Sequence, residues 1–173
     1  MQPWIPPILR VRPWEADTYD MLYGVFCEDI RDSKLIYAGH DVWFFRQEFE
    51  NGKEALFWHL TTQKPPKIPR RMQKFVNNGT YKEETERLPD LLRCERLCWI
   101  NPIICNHHKK EILDWDYEEG NGTIKTYLWL KGHSFLVVLK YFPNGCRRLI
   151  TSFYVNSSYK RKDLERKLSC RIQ

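Results

Sequence analysis

The chain lacks most of the signals that identify a protein's chemistry at a glance. No apolar run approaches the roughly 18 residues needed to cross a bilayer, so a membrane span is not expected. The opening Met1-Gln2-Pro3-Trp4 has neither the basic end nor the apolar stretch of a secretory signal, and a cytoplasmic location is the expectation. A phosphate-cradling glycine loop, a GxSxG elbow, an HExxH pair and a paired CxxC are all missing. So are internal repeats and low-complexity tracts. Any chemistry must come from a scattered constellation.

What is present is charge, aromatics and a few thiols. The 173 residues carry 28 Lys+Arg against 22 Asp+Glu, a net charge of +6, which suits a polyanionic partner. Seven Trp and 14% aromatics are too many for a disordered chain. Without a secretory signal the six cysteines read as free thiols. Cys94, Cys98, Cys105, His107 and His108 could be arranged as a zinc set, but the Cys94–Cys98 spacing equally marks a packed helix face. No metal or cofactor is expected.

The chain reads as a proline-rich extended arm over residues 1–13, then a single domain over 14–173. The spacing of Leu22, Val25, Phe26 and Ile30 predicts a helix from about Trp14 to Arg31. Short strands are expected at Lys34–Ala38, Val42–Glu48 and Glu54–Thr62, with Asn51-Gly52 a turn. Residues 63–75 carry five basic side chains and no acid among three prolines, which reads as a loop. Lys64, Lys67, Arg70 and Arg71 are its candidate phosphate contacts. Asn77–Glu86 is polar and reads as irregular. Pro89 and Asp90 open a helix whose stripe includes Leu91, Cys94, Leu97, Cys98 and Ile104, with Pro102 expected to kink or end it. Ile112–Tyr117 reads as a strand and Ser157–Leu168 as a closing helix. Residues 156–173 add six basic and two acidic side chains.

Three runs organise the domain: Ile124–Leu130, Phe135–Tyr141 and Arg147–Val155. Each is β-branched and aromatic, and Pro143-Asn144-Gly145 between the last two is a hairpin signal. This predicts an antiparallel meander of at least three strands. A four-residue first loop pairs Leu130 with Phe135, Leu128 with Val137 and Thr126 with Leu139. A two-residue second turn pairs Leu139 with Ile150 and Val138 with Thr151. One face then holds Leu128, Leu130, Phe135, Val137, Leu139 and Ile150 as core. The other holds Lys125, Tyr127, Trp129, Lys140, Leu149 and Thr151.

The order of motifs resembles a family. Phe57-Trp58-His59-Leu60, the Arg93–Ile100 run, Ile124–Leu130, Leu136–Leu139 and Leu149–Tyr154 together look like phage-associated nucleases of the barnase, EndoU, colicin-RNase and RelE-like fold group. The resemblance spans roughly residues 14–168. Cysteines within Arg93–Ile100 and a long basic loop after His59 are local departures. It implies an α+β fold with helices packed on an antiparallel sheet, and metal-independent RNA cleavage by toxin-like proteins, for which a cognate antitoxin is a natural partner.

The residues support the same chemistry independently. Metal-free RNA cleavage needs a base for the 2′-hydroxyl, cations for the phosphorane and an acid for the leaving 5′-oxygen. His59 is the best titrating candidate, though a histidine ending a strand is as often structural. Arg96 and Lys125 could neutralise phosphate or be surface charge. Tyr127 could donate to phosphate or simply pack, and Thr151 could orient the phosphate or merely favour a strand. Lys140 joins the candidate RNA-binding set. His40, His107, His108 and His133 rank lower. Two other readings are open: a non-catalytic RNA-binding or antitoxin-like module, and a zinc-bound domain built on Cys94–His108.

Overall fold

The computed structural model describes residues 3–63 and 87–172, a mixed α+β fold around a curled six-stranded sheet. The basic segment with Lys64, Lys67, Arg70 and Arg71 lies outside the described residues, as does Asn77–Glu86. Among the described residues, no helix is long and apolar enough to cross a membrane.

The chain runs α1 (Thr18–Phe26, extended by a π turn at Cys27–Arg31), β1 (Ile36–Tyr37), β2 (His40–Trp43), β3 (Phe49–Glu50), β4 (Lys53–Glu54), α2 (Ala55–Thr61) and β5 (Thr62–Gln63). Then come β6 (Leu88–Pro89), α3 (Leu91–Cys94), a 3-10 turn (Leu97–Trp99), α4 (Ile100–Cys105), β7 (Ile112–Glu118), β8 (Ile124–Leu130), β9 (Phe135–Tyr141), β10 (Arg147–Tyr154) and α5 (Ser158–Ser169). The large sheet has the order β1-β2-β10-β9-β8-β7 and is antiparallel except between β2 and β10. Its two edges meet: the Tyr37 hydroxyl on β1 donates to both Asp114 oxygens on β7, at 2.9 and 3.0 Å.

Two apolar clusters sandwich the sheet. On the inner face Leu128, Leu130, Phe135, Val137, Leu139 and Leu149 pack under Phe26, Phe57, Leu97, Ile100 and Ile104 from the helices. On the outer face Trp115, Tyr127, Trp129, Leu136 and Val138 pack under Leu164 of α5. Ser157 caps α5 by accepting from the Lys160 amide at 3.2 Å. The proline-rich arm docks on the core. Ile5 and Val11 are buried, and the Trp99 indole donates to the Pro6 carbonyl at 2.9 Å.

The meander forms with the expected β8–β9 register, including Leu130–Phe135 and Leu128–Val137. The second hairpin corrects the reading. Tyr141 pairs with Arg147, so the loop is one residue longer than a two-residue turn, with the Phe142 amide donating to the Cys146 carbonyl. A bulge between Leu149 and Thr151 then restores the count, and Val138 faces Thr151 as expected. The consequence is an exchange: Leu149, not Ile150, faces Leu139 in the core. Gly145 sits at φ +86°, and a Cβ there would lie 2.5 Å from the His40 ring, so both conformation and space demand glycine.

Two further expectations change. Residues 55–61 are helical, because Phe57, Leu60 and Thr61 bury at helical rather than alternating spacing. The Thr61 and Thr62 hydroxyls donate back to the Phe57 and Trp58 carbonyls as the helix ends. The helix after Asp90 breaks early, at Arg96 (φ −115°, ψ 14°). Pro102 therefore falls in the first turn of α4, where its missing N–H would have had no partner. α1 begins at Thr18 rather than Trp14.

Candidate functional site

The residues singled out in the sequence fall in three places. Lys125, Tyr127 and Thr151 share the outer face and line one cleft of about 220 Å³ with Lys160, Asp163 and Lys167 of α5. His59 is exposed on α2 and lines a second cleft of about 360 Å³. Arg96 belongs to neither. Its guanidinium lies over the rings of Trp99 and Tyr154, at 5.3 and 4.7 Å, and donates to the Leu92 carbonyl. Tyr154 pairs with Phe135 and so shares the inner face, on the opposite side of the sheet from Lys125. The grouping of Arg96 with Lys125 is thereby corrected: the sheet stands between them.

Glu119 is the hub that joins three residues of the outer cleft's lining, Lys125, Tyr127 and Lys167. It accepts from the Tyr127 hydroxyl and from Lys167 Nζ at 2.9 and 3.1 Å, and pairs with Lys125 at 3.4 Å. Burial pushes the Glu119 carboxyl up, but the Tyr127 and Lys167 hydrogen bonds and the two lysine charges outweigh it and hold it below its usual range. Burial, reinforced by the bond to Glu119, pushes the Tyr127 phenol up to about 12. Tyr127 also stacks on Trp115 at 5.2 Å. The Tyr127 hydroxyl and Lys167 of α5 thus meet at one carboxylate, which ties α5 to the sheet at this corner. The Thr151 hydroxyl donates to the Ser152 carbonyl at 3.4 Å.

The outer face also carries an arrangement that only the register exposes. Lys125 opposes Lys140, and Lys140 opposes Arg148, so three cations stand side by side across β8, β9 and β10. Directly opposed like charges are destabilising. Lys125 is offset by Glu119. Among the described residues Lys140 and Arg148 have no acidic partner, only aromatic faces. Lys140 lies over Phe142 at 5.4 Å, and Arg148 over Phe45 and Trp43 at 4.5 and 5.6 Å.

Arg148 is where the row meets the second cleft. β2 pairs with β10 only at Arg147 and Arg148, so beyond that point α2 rather than a strand covers the edge of β10. The resulting cleft is lined by Glu48, His59, Arg87 and Arg148, with Phe44, Leu56, Leu149 and Ile150 as its apolar wall. Ile150, the bulged residue, borders both clefts. Arg87 is held by Glu50 at 2.8 Å, and the His59 carbonyl accepts from Arg93 at 2.9 Å. The cleft thus offers a carboxylate, an imidazole and two guanidiniums.

The cysteine–histidine segment does not converge. Cys94 is buried and donates to the Thr61 carbonyl, and burial pushes its thiol up to about 12. His107 instead accepts from the Ala38 amide at Nε2, which leaves Nδ1 to donate to Asp114 at 2.8 Å. Among the described residues no three such side chains are placed to hold a metal ion.

Glu48, Arg87 and Arg148 are the lining residues that the sequence reading missed. Treating Pro143-Asn144-Gly145 as a three-residue loop would have opposed Arg148 to Lys140 and found the row. Glu48 has no comparable signal: the sequence reads as strand through Glu48, whereas β2 ends at Trp43. Comparison with protein-family models, with curated proteins and with solved structures returned no match.

Proposed function

We propose that this chain is a metal-independent endoribonuclease whose reaction centre is the cleft between α2 and β10. The observation that carries the reading is that Glu48, His59, Arg87 and Arg148 line one cavity at the end of a basic row. Metal-free RNA cleavage needs these groups: a proton acceptor, a proton donor and fixed positive charge. In the proposed step Glu48 takes the 2′-hydroxyl proton as that oxygen bonds to phosphorus. The P–O5′ bond breaks as His59 gives a proton to the leaving 5′-oxygen. Arg148 and Arg87 balance the charge on the phosphorane. The products are a 2′,3′-cyclic phosphate and a 5′-hydroxyl. Lys125, Lys140 and Thr151 serve the flanking strand, and Arg96 braces the inner face. The resemblance to the barnase, EndoU, colicin-RNase and RelE-like group favours the same chemistry, as does the net charge of +6. A toxin-like role with a protein inhibitor belongs to the same proposal.

The test is purified protein incubated with total RNA in EDTA, with fragment ends mapped. Cyclic-phosphate ends, resistance of DNA and a loss of about 100- to 10,000-fold in His59→Ala are expected. Cleavage that needs added metal, cutting of DNA, or a folded His59→Ala protein with full activity would overturn the reading.

A further inference from the structure

The basic row is not bare charge. Trp43 and Phe45 meet edge to face at 5.3 Å, and Trp43 and Phe142 lie 5.5 Å apart. Arg148 lies over the first two rings and Lys140 over the third, and Phe45 is 47% exposed. At the β2–β10–β9 end of the sheet, cations and aromatic faces therefore alternate beside the His59 cleft. Opposed residues lie roughly 5 Å apart, so Lys125, Lys140 and Arg148 span roughly 10 Å across three strands. A row of positive charge with flat rings beside it suits a strand whose phosphates are tracked while its bases turn out and stack. A base-paired helix offers the charges but keeps its bases stacked on each other, where Phe45 and Phe142 cannot reach their faces.

We propose that this cation–aromatic surface is a binding track for single-stranded RNA. Lys125, Lys140 and Arg148 take consecutive phosphates, the Trp43, Phe45 and Phe142 cluster takes bases, and the strand is delivered into the His59 cleft. The choice of RNA as polymer rests on the ribonuclease reading. The preference for an unpaired strand rests on the exposed ring and the charge row. A protein ligand of acidic character would use the cations but would gain nothing specific from an array of ring faces matched to bases.

The test is fluorescence anisotropy in EDTA with the full chain and a 2′-O-methyl RNA of about twelve nucleotides, within the usual range of single-strand site sizes. This probe has no 2′-hydroxyl nucleophile, so binding is read apart from cleavage. The single strand should bind at least tenfold tighter than the same strand in a duplex. Phe45→Ala and Phe142→Ala should each weaken it by about 5- to 100-fold. Phe45→Leu keeps apolar bulk and should still show the loss. Lys140→Gln should reduce the slope of log affinity against log salt by about 0.7. Equal or tighter duplex binding would overturn the inference. So would unchanged affinity in Phe45→Leu at an unaltered melting temperature, or an acidic polypeptide that competes as well as RNA. Tight single-strand binding without cleavage of ordinary RNA supports this inference and overturns the ribonuclease reading. Cleavage with no strand preference does the reverse.

Discussion

Arg147 and Arg148 are neighbours on β10 and point to opposite faces of the sheet. Arg147 is buried. Its Nε donates to Thr126 at 2.7 Å, Nη1 to the Gly145 carbonyl at 2.8 Å, and Nη2 meets Asp116 at 3.3 Å. The rings of Tyr37 and Tyr141 flank it at 5.0 and 4.3 Å. It ties β10 to β7 and β8 just where the curled sheet brings its edges together, next to the Tyr37–Asp114 contact. Arg148 is half-buried among aromatics beside two other cations, with no acidic partner among the described residues. One guanidinium has every nitrogen bonded and holds the fold. The other is left with unspent donors, and the fold bears a like-charge penalty to keep it there. The same residue type, one position apart, serves the fold on one face and, on the proposed reading, the RNA on the other.

The largest expected effect breaks the inner side of that comparison. Arg147→Met should cost roughly 2–4 kcal/mol, because Asp116 loses its cation and Thr126 an acceptor role while both stay largely enclosed. For a chain of this length that lowers the melting temperature by about 5–15 °C, readable by calorimetry. RNA affinity should persist in the fraction that folds.

A smaller effect sharpens the outer side. Glu119→Gln should cost about 1–2 kcal/mol at neutral pH by loosening Lys167 and Tyr127, and thus α5, from the sheet. Its sign with pH is fixed. Glu119 titrates below its ordinary 4.5 in the folded state, so its stabilisation is present above that value and lost as pH falls through the folded value. Lys167 titrates higher than usual: burial lowers it, but the bonds to Tyr127 and Glu119 prevail. Its stabilisation is present below 10.5 and lost as pH rises through the raised value. Melting curves of Glu119→Gln should therefore lie below those of the parent near pH 7 and show a shallower decline below about pH 4.5.

Much of the fold was legible because turns and alternation report it directly. The β8–β9 register followed from a four-residue loop, and the Asn51-Gly52 hairpin from two residues that accept positive φ, at 51° and 74°. Thr151 reached its face through two compensating departures, a longer loop and a bulge, neither of which leaves an unambiguous mark in composition. Phe57-Trp58-His59-Leu60 reads as a strand in the sequence because a short apolar run has no decisive period. Only the burial of Phe57 against Tyr23 and Phe26, with Leu60 buried one turn on, settles it as helix. The candidate site was legible in part: Lys125, Tyr127 and Thr151 come together, as the register predicted. The cleft with Glu48 and Arg148 was not, since it forms where β2 stops and α2 takes over the edge, and strand ends are set by tertiary packing.

The most direct test joins both sides in one protein. Arg148→Gln removes an outer cation and changes nothing in the Arg147 knot, so stability should shift by no more than about 0.5 kcal/mol, or about 2 °C. Removing a cation aimed at a phosphorane should slow cleavage by about 100- to 1000-fold. The measurement is the cleavage rate of a single-stranded RNA in EDTA, taken with the melting temperature of the same preparation. The account predicts an unchanged melting temperature with the rate reduced by at least a hundredfold. An undiminished rate, or a melting temperature that falls as far as in Arg147→Met, would contradict it.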